Sequence, residues 1–331
     1  MAVMWTKFYE TSQTTDAPTT SANTWSQGFT AQNGTLEFLT LRYDVTFADN
    51  PVAESDLTSV ISSVRVIVNG SVQHDFIAGF ADDANASASQ YSYTLNKIGG
   101  RAVEVAESAD PNNRVGFINI PLGTVLNSQG QNRIECIVGW AETGLGATPS
   151  SSKLEWWGRY NDATQTGQIL GSSTTFQHSA SAQEQVIVRC PTLLPAGAKI
   201  SGLLILNDSN ADEMSSQGVR INALSNFGLT PAQWRMINGD LMNGVEFNQG
   251  STSQTNSLTF KQGVDGSLLI PVFDLSLGDI AITVDNGTTA TTRRYFPVIT
   301  YPVGQKQMTE QRQSARVAGS SSKAILSNDL Q

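Results

Sequence analysis

The chain has 331 residues and a net charge of −9, with 39% hydrophobic but only 15% charged residues. That is enough apolar material for one large core or two ordinary ones. The acidic balance argues against nucleic-acid binding through a broadly basic face, and the shortage of charge, made up by Ser, Thr, Asn, Gln and Gly, argues against long surface helices.

Residues 1–30 are rich in Thr, Ser and Gln without a sustained period and read as an extended N-terminal arm. The opening "MAVMWTKFYE" lacks the apolar core and cleavage site of a secretory signal, so synthesis and folding in a cytoplasm are expected. No apolar run approaches the length of a membrane span. Met4, Trp5 and Phe8 fall at i, i+1 and i+4 with Tyr9 beside them, which predicts one helical turn with an apolar face. Such a face at a chain end needs a partner: a membrane interface, a neighbouring subunit or the protein's own core.

Strand signals then follow one another. "TLEFLTLRYDVTF" (35–47), "VISSVRVIVNG" with its Asn69-Gly70 hairpin turn, "SQYSYTLNKI" (89–98), "RVGFINIPL" (114–122), "NRIECIVGWAE" (132–142) and "KLEWWGRY" (153–160) make a first set. A polar stretch at 166–183 reads as a connector. The second set is "EQVIVRC" (184–190), "KISGLLILN" (199–207), "GVRINAL" (218–224), "SLTFKQ" (257–262), "GSLLIPVFDL" (266–275), "GDIAITVD" (278–285) and "RRYFPVITY" (293–301). In "LTPAQWRMINGDL", Thr230 as N-cap, Pro231 in the first turn and Gly239 as stop predict one short helix.

The two sets repeat. "ISSVRVIVNGS" at 61–71 and "ISGLLILNDSN" at 200–210 open alike, 139 residues apart (200 − 61). "LTLRY" answers "VIVRC", "FINIPL" answers "LLIPVF", and "RIECIV" answers "DIAITV", in the same order. Two tandem copies of one all-β domain explain this, each an eight-stranded antiparallel jelly-roll barrel in preference to an immunoglobulin sandwich. The expected layout is an arm at 1–30, a first barrel at 31–165, the connector at 166–183, a second barrel at 184–302 carrying the helix, and a C-terminal arm at 303–331, both arms flexible.

No catalytic constellation is legible. The two histidines, His74 and His178, lie 104 residues apart (178 − 74) and read as surface residues. Cys136 and Cys190 read as unpaired thiols. Asp208, Asn210, Asp212 and Glu213 alternate as calcium ligands can, but the turn lacks the glycine and terminal glutamate of an EF-hand; a solvated acidic turn is preferred, and no metal or cofactor is expected. The Asn-x-Ser/Thr sequons at Asn33, Asn69, Asn85, Asn207 and Asn286 read as turns. The tail carries Lys306, Arg312 and Arg316 and is locally positive, as suits a solubilising tail or an arm that orders on assembly or near anionic lipid. The residues assigned to assembly or membrane contact are therefore Trp5, Phe8, Tyr9, Lys306, Arg312 and Arg316.

"LTLRYDVTF…ISSVRVIVNGSV" in the first copy and "GLTPAQWRMINGDLM" in the second resemble the double jelly-roll major capsid proteins of tailless, membrane-containing bacterial viruses, corticovirus-like and flavobacterial lipid-containing phage-like. The resemblance covers 30–302. It implies a homotrimeric, pseudo-hexagonal capsomer in an icosahedral shell, with neighbouring capsomers and minor or vertex proteins as partners and chain ends near an internal membrane. A carbohydrate-binding or phage-fibre β-sandwich is the alternative, with Trp156 and Trp157 as its aromatic candidates. A sandwich glycosidase is the third; it would need two facing carboxylates, and Glu135 and Glu155 lie on strands that nothing in the sequence brings together.

Overall fold

The computed structural model describes residues 3–11, 23–47, 61–77, 91, 94–105, 113–127, 130–140, 149–192, 194–207, 219–221, 233, 245–248, 257–260, 268–275 and 278–303. Nineteen strands run through them. The first half holds β1 (Val3–Thr11), β2 (Asn23–Ala31), β3 (Gly34–Phe47), β4 (Ile61–Val68), β5 (Ser71–Ile77), β6 (Arg101–Val105), β7 (Asn113–Leu126), β8 (Asn132–Trp140) and β9 (Pro149–Asn161). The second holds β10 (Thr166–Leu170), β11 (Thr174–His178), β12 (Gln183–Val188), β13 (Lys199–Asn207), β14 (Val219–Ile221), β15 (Val245–Asn248), β16 (Ser257–Phe260), β17 (Leu268–Leu275), β18 (Ile280–Asp285) and β19 (Thr291–Pro302).

The first barrel packs a five-stranded sheet, β1-β9-β3-β7-β6, over β5-β4-β8-β2. Alternating apolar positions such as Leu39, Leu41 and Tyr43 on β3 and Val64, Val66 and Val68 on β4 meet in its core. The second barrel packs β12-β18-β14 against β17-β13-β19, with β11 alongside β19. Strand β10 pairs antiparallel with β19 and meets β5 in parallel at Leu170↔His74. The four-stranded sheet of the first barrel and the β17-β13-β19 sheet of the second thus join through β10 into one nine-stranded sheet that also includes β11.

The repeat is real and extends to a defect. Strand β4 pairs with β8 through a bulge between Ile61 and Ser63, and β13 pairs with β19 through a bulge between Ile200 and Gly202. The shared Ile-Ser of the two segments marks the same extra residue in both copies. Two of the sequence correspondences are displaced by one strand, however. Strand β8 lies against β4, so its counterpart is β19, which lies against β13, and not β18; likewise β7, beside β3, answers β18, beside β12, and not β17. The matching Ile-Pro pairs were a coincidence of composition.

Three further expectations change. Residues 1–30 contribute β1 and β2, so Met4, Trp5 and Phe8 lie on a strand and not on a helical turn. The connector carries β10 and β11, both paired to β19. Residues 94–97, expected in a strand, form a helical turn whose Leu95 is fully buried. Of the helix expected at 230–239 only Gln233 is described, and it is helical. The Asn69-Gly70 hairpin holds: both residues have positive φ (49° and 79°), the requirement of a tight primed turn.

Candidate assembly surface

Strand β1 places the three N-terminal aromatic residues differently. Its pairing with β9 slips between Lys7 and Tyr9, and the extra residue is Phe8. The bulge lets consecutive residues pack against the first core. Phe8 stacks on Phe29 of β2 at 4.9 Å and stands edge-on to Tyr160 at 6.2 Å. Its ring fills the space beside Gly158, where a Cβ would come within 2.4 Å of it. Tyr9 lies 6.2 Å from Trp25. Phe8 and Tyr9 thus find their partner in their own barrel, whereas Trp5 remains 50% exposed, with the Arg159 guanidinium 5.8 Å from its ring centre.

Next to this patch the outer face of the five-stranded sheet carries a charge cluster around Glu155, which is 4% exposed. Lys153, Arg42 and Lys7 stand 3.2, 3.3 and 3.7 Å from its carboxylate. Burial alone would raise the Glu155 pKa, but the hydrogen bond donated by Trp157, at 3.0 Å, and the Lys153 and Arg42 cations outweigh it and hold the carboxyl below its ordinary range. Lys7 and Lys153 also pull the Glu10 carboxyl down to about 2. Trp156 is fully buried, and Lys7 stands 5.6 Å from the Trp157 ring centre. Glu135 lies on β8, in the opposite sheet from Glu155. This is a self-satisfied cluster, not a facing carboxylate pair.

Both histidines are buried, contrary to the sequence reading. His74 is 1% exposed with Nε2 3.2 Å from the Tyr91 hydroxyl. His178 is fully buried, its Nδ1 2.9 Å from Glu184 and its Nε2 2.7 Å from the Tyr295 hydroxyl. Burial pushes each imidazole down to about 4; the Arg293 cation adds to this at His178, while nearby carboxylates oppose it at both. "SVQHDF" gave no hint of this, because β5 is covered by the connector strand β10. Cys136 is buried, Cys190 partly so, and both thiols are free. Among the described residues no group of three His, Cys, Asp or Glu side chains could hold a metal, and no helix is long and apolar enough to cross a membrane. The Asp208–Asp212 turn and the cations Lys306, Arg312 and Arg316 lie outside the described residues.

The sequon asparagines Asn33, Asn69 and Asn286 bind turns together. Asn132 donates to Asn33 and accepts from Asn69, each at 3.1 Å, tying three turns at one end of the first barrel. Asn286 donates to the carbonyls of Ser179 and Thr289, both at 2.8 Å.

The seam between the barrels is closely fitted. Gly123 and Gly167 allow backbone contact there: a Cβ on Gly123 would lie 2.5 Å from the Gly167 Cα, and one on Gly167 would lie 2.2 Å from the Tyr301 ring. The Tyr301 hydroxyl donates to the Leu122 carbonyl at 3.1 Å. Phe76 stacks on Phe296 at 5.9 Å, Arg294 donates to the Ile77 carbonyl at 3.3 Å, and Ser172 donates to Asp75.

No family model matches the chain, and no curated protein matches it. Among solved structures it is similar to the major capsid protein of STIV, the Sulfolobus turreted icosahedral virus: TM-score 0.52 at 10% identity, over 90% of this chain and 97% of that one. The PBCV-1 virus capsid aligns with a TM-score of 0.49 at 8% identity over 90% and 92% of the two chains, and the Sputnik virophage with 0.37 at 11% over 91% and 85%. The fold is that of the double jelly-roll proteins.

Proposed function

We propose that the chain is a viral major capsid protein, a structural and non-catalytic subunit of a virion. The observation that carries this reading is the joining of two jelly rolls by β10 into one nine-stranded sheet, an architecture similar to the STIV major capsid protein over nearly the whole of both chains. The subunit assembles as a homotrimer whose six barrels form a pseudo-hexagonal capsomer. Capsomers then build an icosahedral shell with minor or vertex proteins, around the internal membrane that the sequence resemblance implies. The C-terminal arm at 303–331 belongs to this assembly, and on β1 Trp5 is the N-terminal aromatic residue left available for it.

A carbohydrate-binding face finds less support, since Trp156 is buried and Trp157 is engaged by Glu155 and Lys7. Light scattering coupled to gel filtration tests the capsid reading. A persistent species of about 106 kDa (3 × 35.5) is expected, with hexagonal particles or shell fragments in electron micrographs at high concentration. A monomer at every concentration overturns it.

A further inference from the structure

The chain contains one barrel-to-barrel seam and two halves of another. The nine-stranded sheet runs β17-β13-β19-β10-β5-β4-β8-β2 with β11 also on β19, and its middle joint sets the β5 edge of the first barrel against β10 of the second. The repeat assigns counterparts to both sides of that joint. Strand β17 stands to β13 as β5 stands to β4, and β2 stands to β8 as β10 and β11 stand to β19. Strands β17 and β2 are the outermost strands of the sheet and lack a second neighbour among the described residues.

We propose that the flank formed by β1 and β2 receives the β17 edge of another copy of this chain, reproducing between chains the seam that β5 and β10 make within one. This rests on the trimeric reading above and supplies its contact.

The register can be carried over. Positions on β4 and β13 differ by 139 (205 − 66), and those on β8 and β19 by 159 (295 − 136), because Val66 pairs Cys136 where Ile205 pairs Tyr295. In the internal seam Leu170 meets His74; Leu170 pairs Val298 and His74 pairs Val66. Their counterparts are Gly139 (298 − 159), which pairs Thr24, and Ile205 (66 + 139), which pairs Leu268. Thr24 of one copy therefore stands abreast of Leu268 of the next.

The receiving flank is unfinished as a surface. Phe8 on Phe29 and Tyr9 near Trp25 hold β1 beside β2. On β1, Val3, Met4 and Trp5 are 49%, 43% and 50% exposed, three of the five exposed large hydrophobic residues among those described. Adjacent apolar side chains left in water mark a contact surface. The incoming edge carries Pro271 mid-strand, which has no N–H to give a ladder. The internal seam likewise has a single ladder position and is made mostly by side chains. A head-to-tail contact of this kind leaves no free half-seam once the ring closes.

The test is a disulfide trap in the full-length chain. Thr24→Cys with Leu268→Cys, on a Cys190→Ser background, is expected to give covalent two- and three-chain species on non-reducing gels, while either cysteine substitution alone gives none. Trp5→Asp, at an exposed position, is expected to weaken association at least tenfold with the monomer's melting unchanged. A wild type of trimeric mass whose double variant stays uncrosslinked, and whose Trp5→Asp form still assembles, overturns the seam and leaves the trimer standing. A wild type that is monomeric throughout overturns both.

Discussion

The two halves of the nine-stranded sheet share one topology but not one environment. In the second half the middles of the central strands, Leu203–Leu206 of β13 and Tyr295–Ile299 of β19, are buried on both faces. Leu203 and Ile205 of β13 and Tyr295 and Ile299 of β19 face the second core, while Leu204, Leu206, Phe296 and Val298 belong to the first core on the opposite face. Even β10 divides this way, with Ile169 in one core and Leu170 in the other. In the first half the counterparts of Leu204, Leu206 and Phe296 are Arg65, Ile67 and Ile137; Arg65 is exposed and the two isoleucines are half-buried. Duplication supplied two similar sheets, and the joining of the barrels turned one of them into an interior wall. That is why "GLLIL" and "YFPVI" read as continuous apolar runs, whereas "VRVIV" and "RIECIV" alternate.

Substitutions at matched positions probe this difference. Phe296→Ala removes a fully buried ring between the two barrels and is expected to cost about 3–5 kcal/mol in denaturant unfolding. Ile137→Ala, at the matching place in the first half, is expected to cost under about 1.5 kcal/mol because its site is half open to solvent. Equal losses would mean that the two faces are not differently covered.

Acid separates the buried histidines from the rest. An unfolded histidine titrates near 6.5 and folded His74 near 4, so its neutral form is favoured by the fold. Its contribution is complete above about pH 6.5 and is lost as pH falls from there toward 4, by about 3 kcal/mol in full. His178 acts in the same direction in the second barrel. Stability measured from pH 7 to 4 should therefore fall less steeply in His74→Gln than in the wild type. An unchanged slope would remove His74 from the account.

At the seam, Gly167→Ala should cost about 1–3 kcal/mol, since its methyl group would enter the Tyr301 ring. Gly278→Ala, where nothing lies within 4 Å, serves as the control. The smallest effect is expected at Trp5→Ser, within about 0.5 kcal/mol for the monomer, because that side chain has its partner elsewhere.

Much of this was legible in the sequence, and the failures have causes. Alternation and the Asn69-Gly70 turn located β3, β4, β7, β8, β9 and β18, a continuous apolar run located β19, and the Ile-Ser pair found the repeat through a bulge that both copies keep. Strands β1 and β2 were hidden because Thr and Ser dilute their period and Phe8 breaks it with an extra residue. Strands β10 and β11 are five residues each and mostly polar, and their stability comes from β19, whose paired residues lie 113 (291 − 178) to 136 (302 − 166) positions away in sequence. Burial of His74 and His178 is likewise a product of distant cover, which no local pattern encodes. Of the N-terminal aromatic trio, sequence spacing identified a surface in search of a partner, but only the bulge decided that Phe8 and Tyr9 are used inward and Trp5 is not.

The two-faced burial of β13 and β19 also dictates an order of events during synthesis. A ribosome delivers residues 1–161 first, and with them most of the first core, before Leu170, Leu204, Leu206, Phe296 and Val298 arrive to complete it. The second copy is less independent, because half of its central side chains find cover only on the N-terminal barrel. Translated without that template, strands apolar on both sides would meet one another instead and grow into aggregates. The N-terminal barrel is thus expected to serve as a folding aid for the half of the chain that follows it, so that the second copy expressed without it should aggregate.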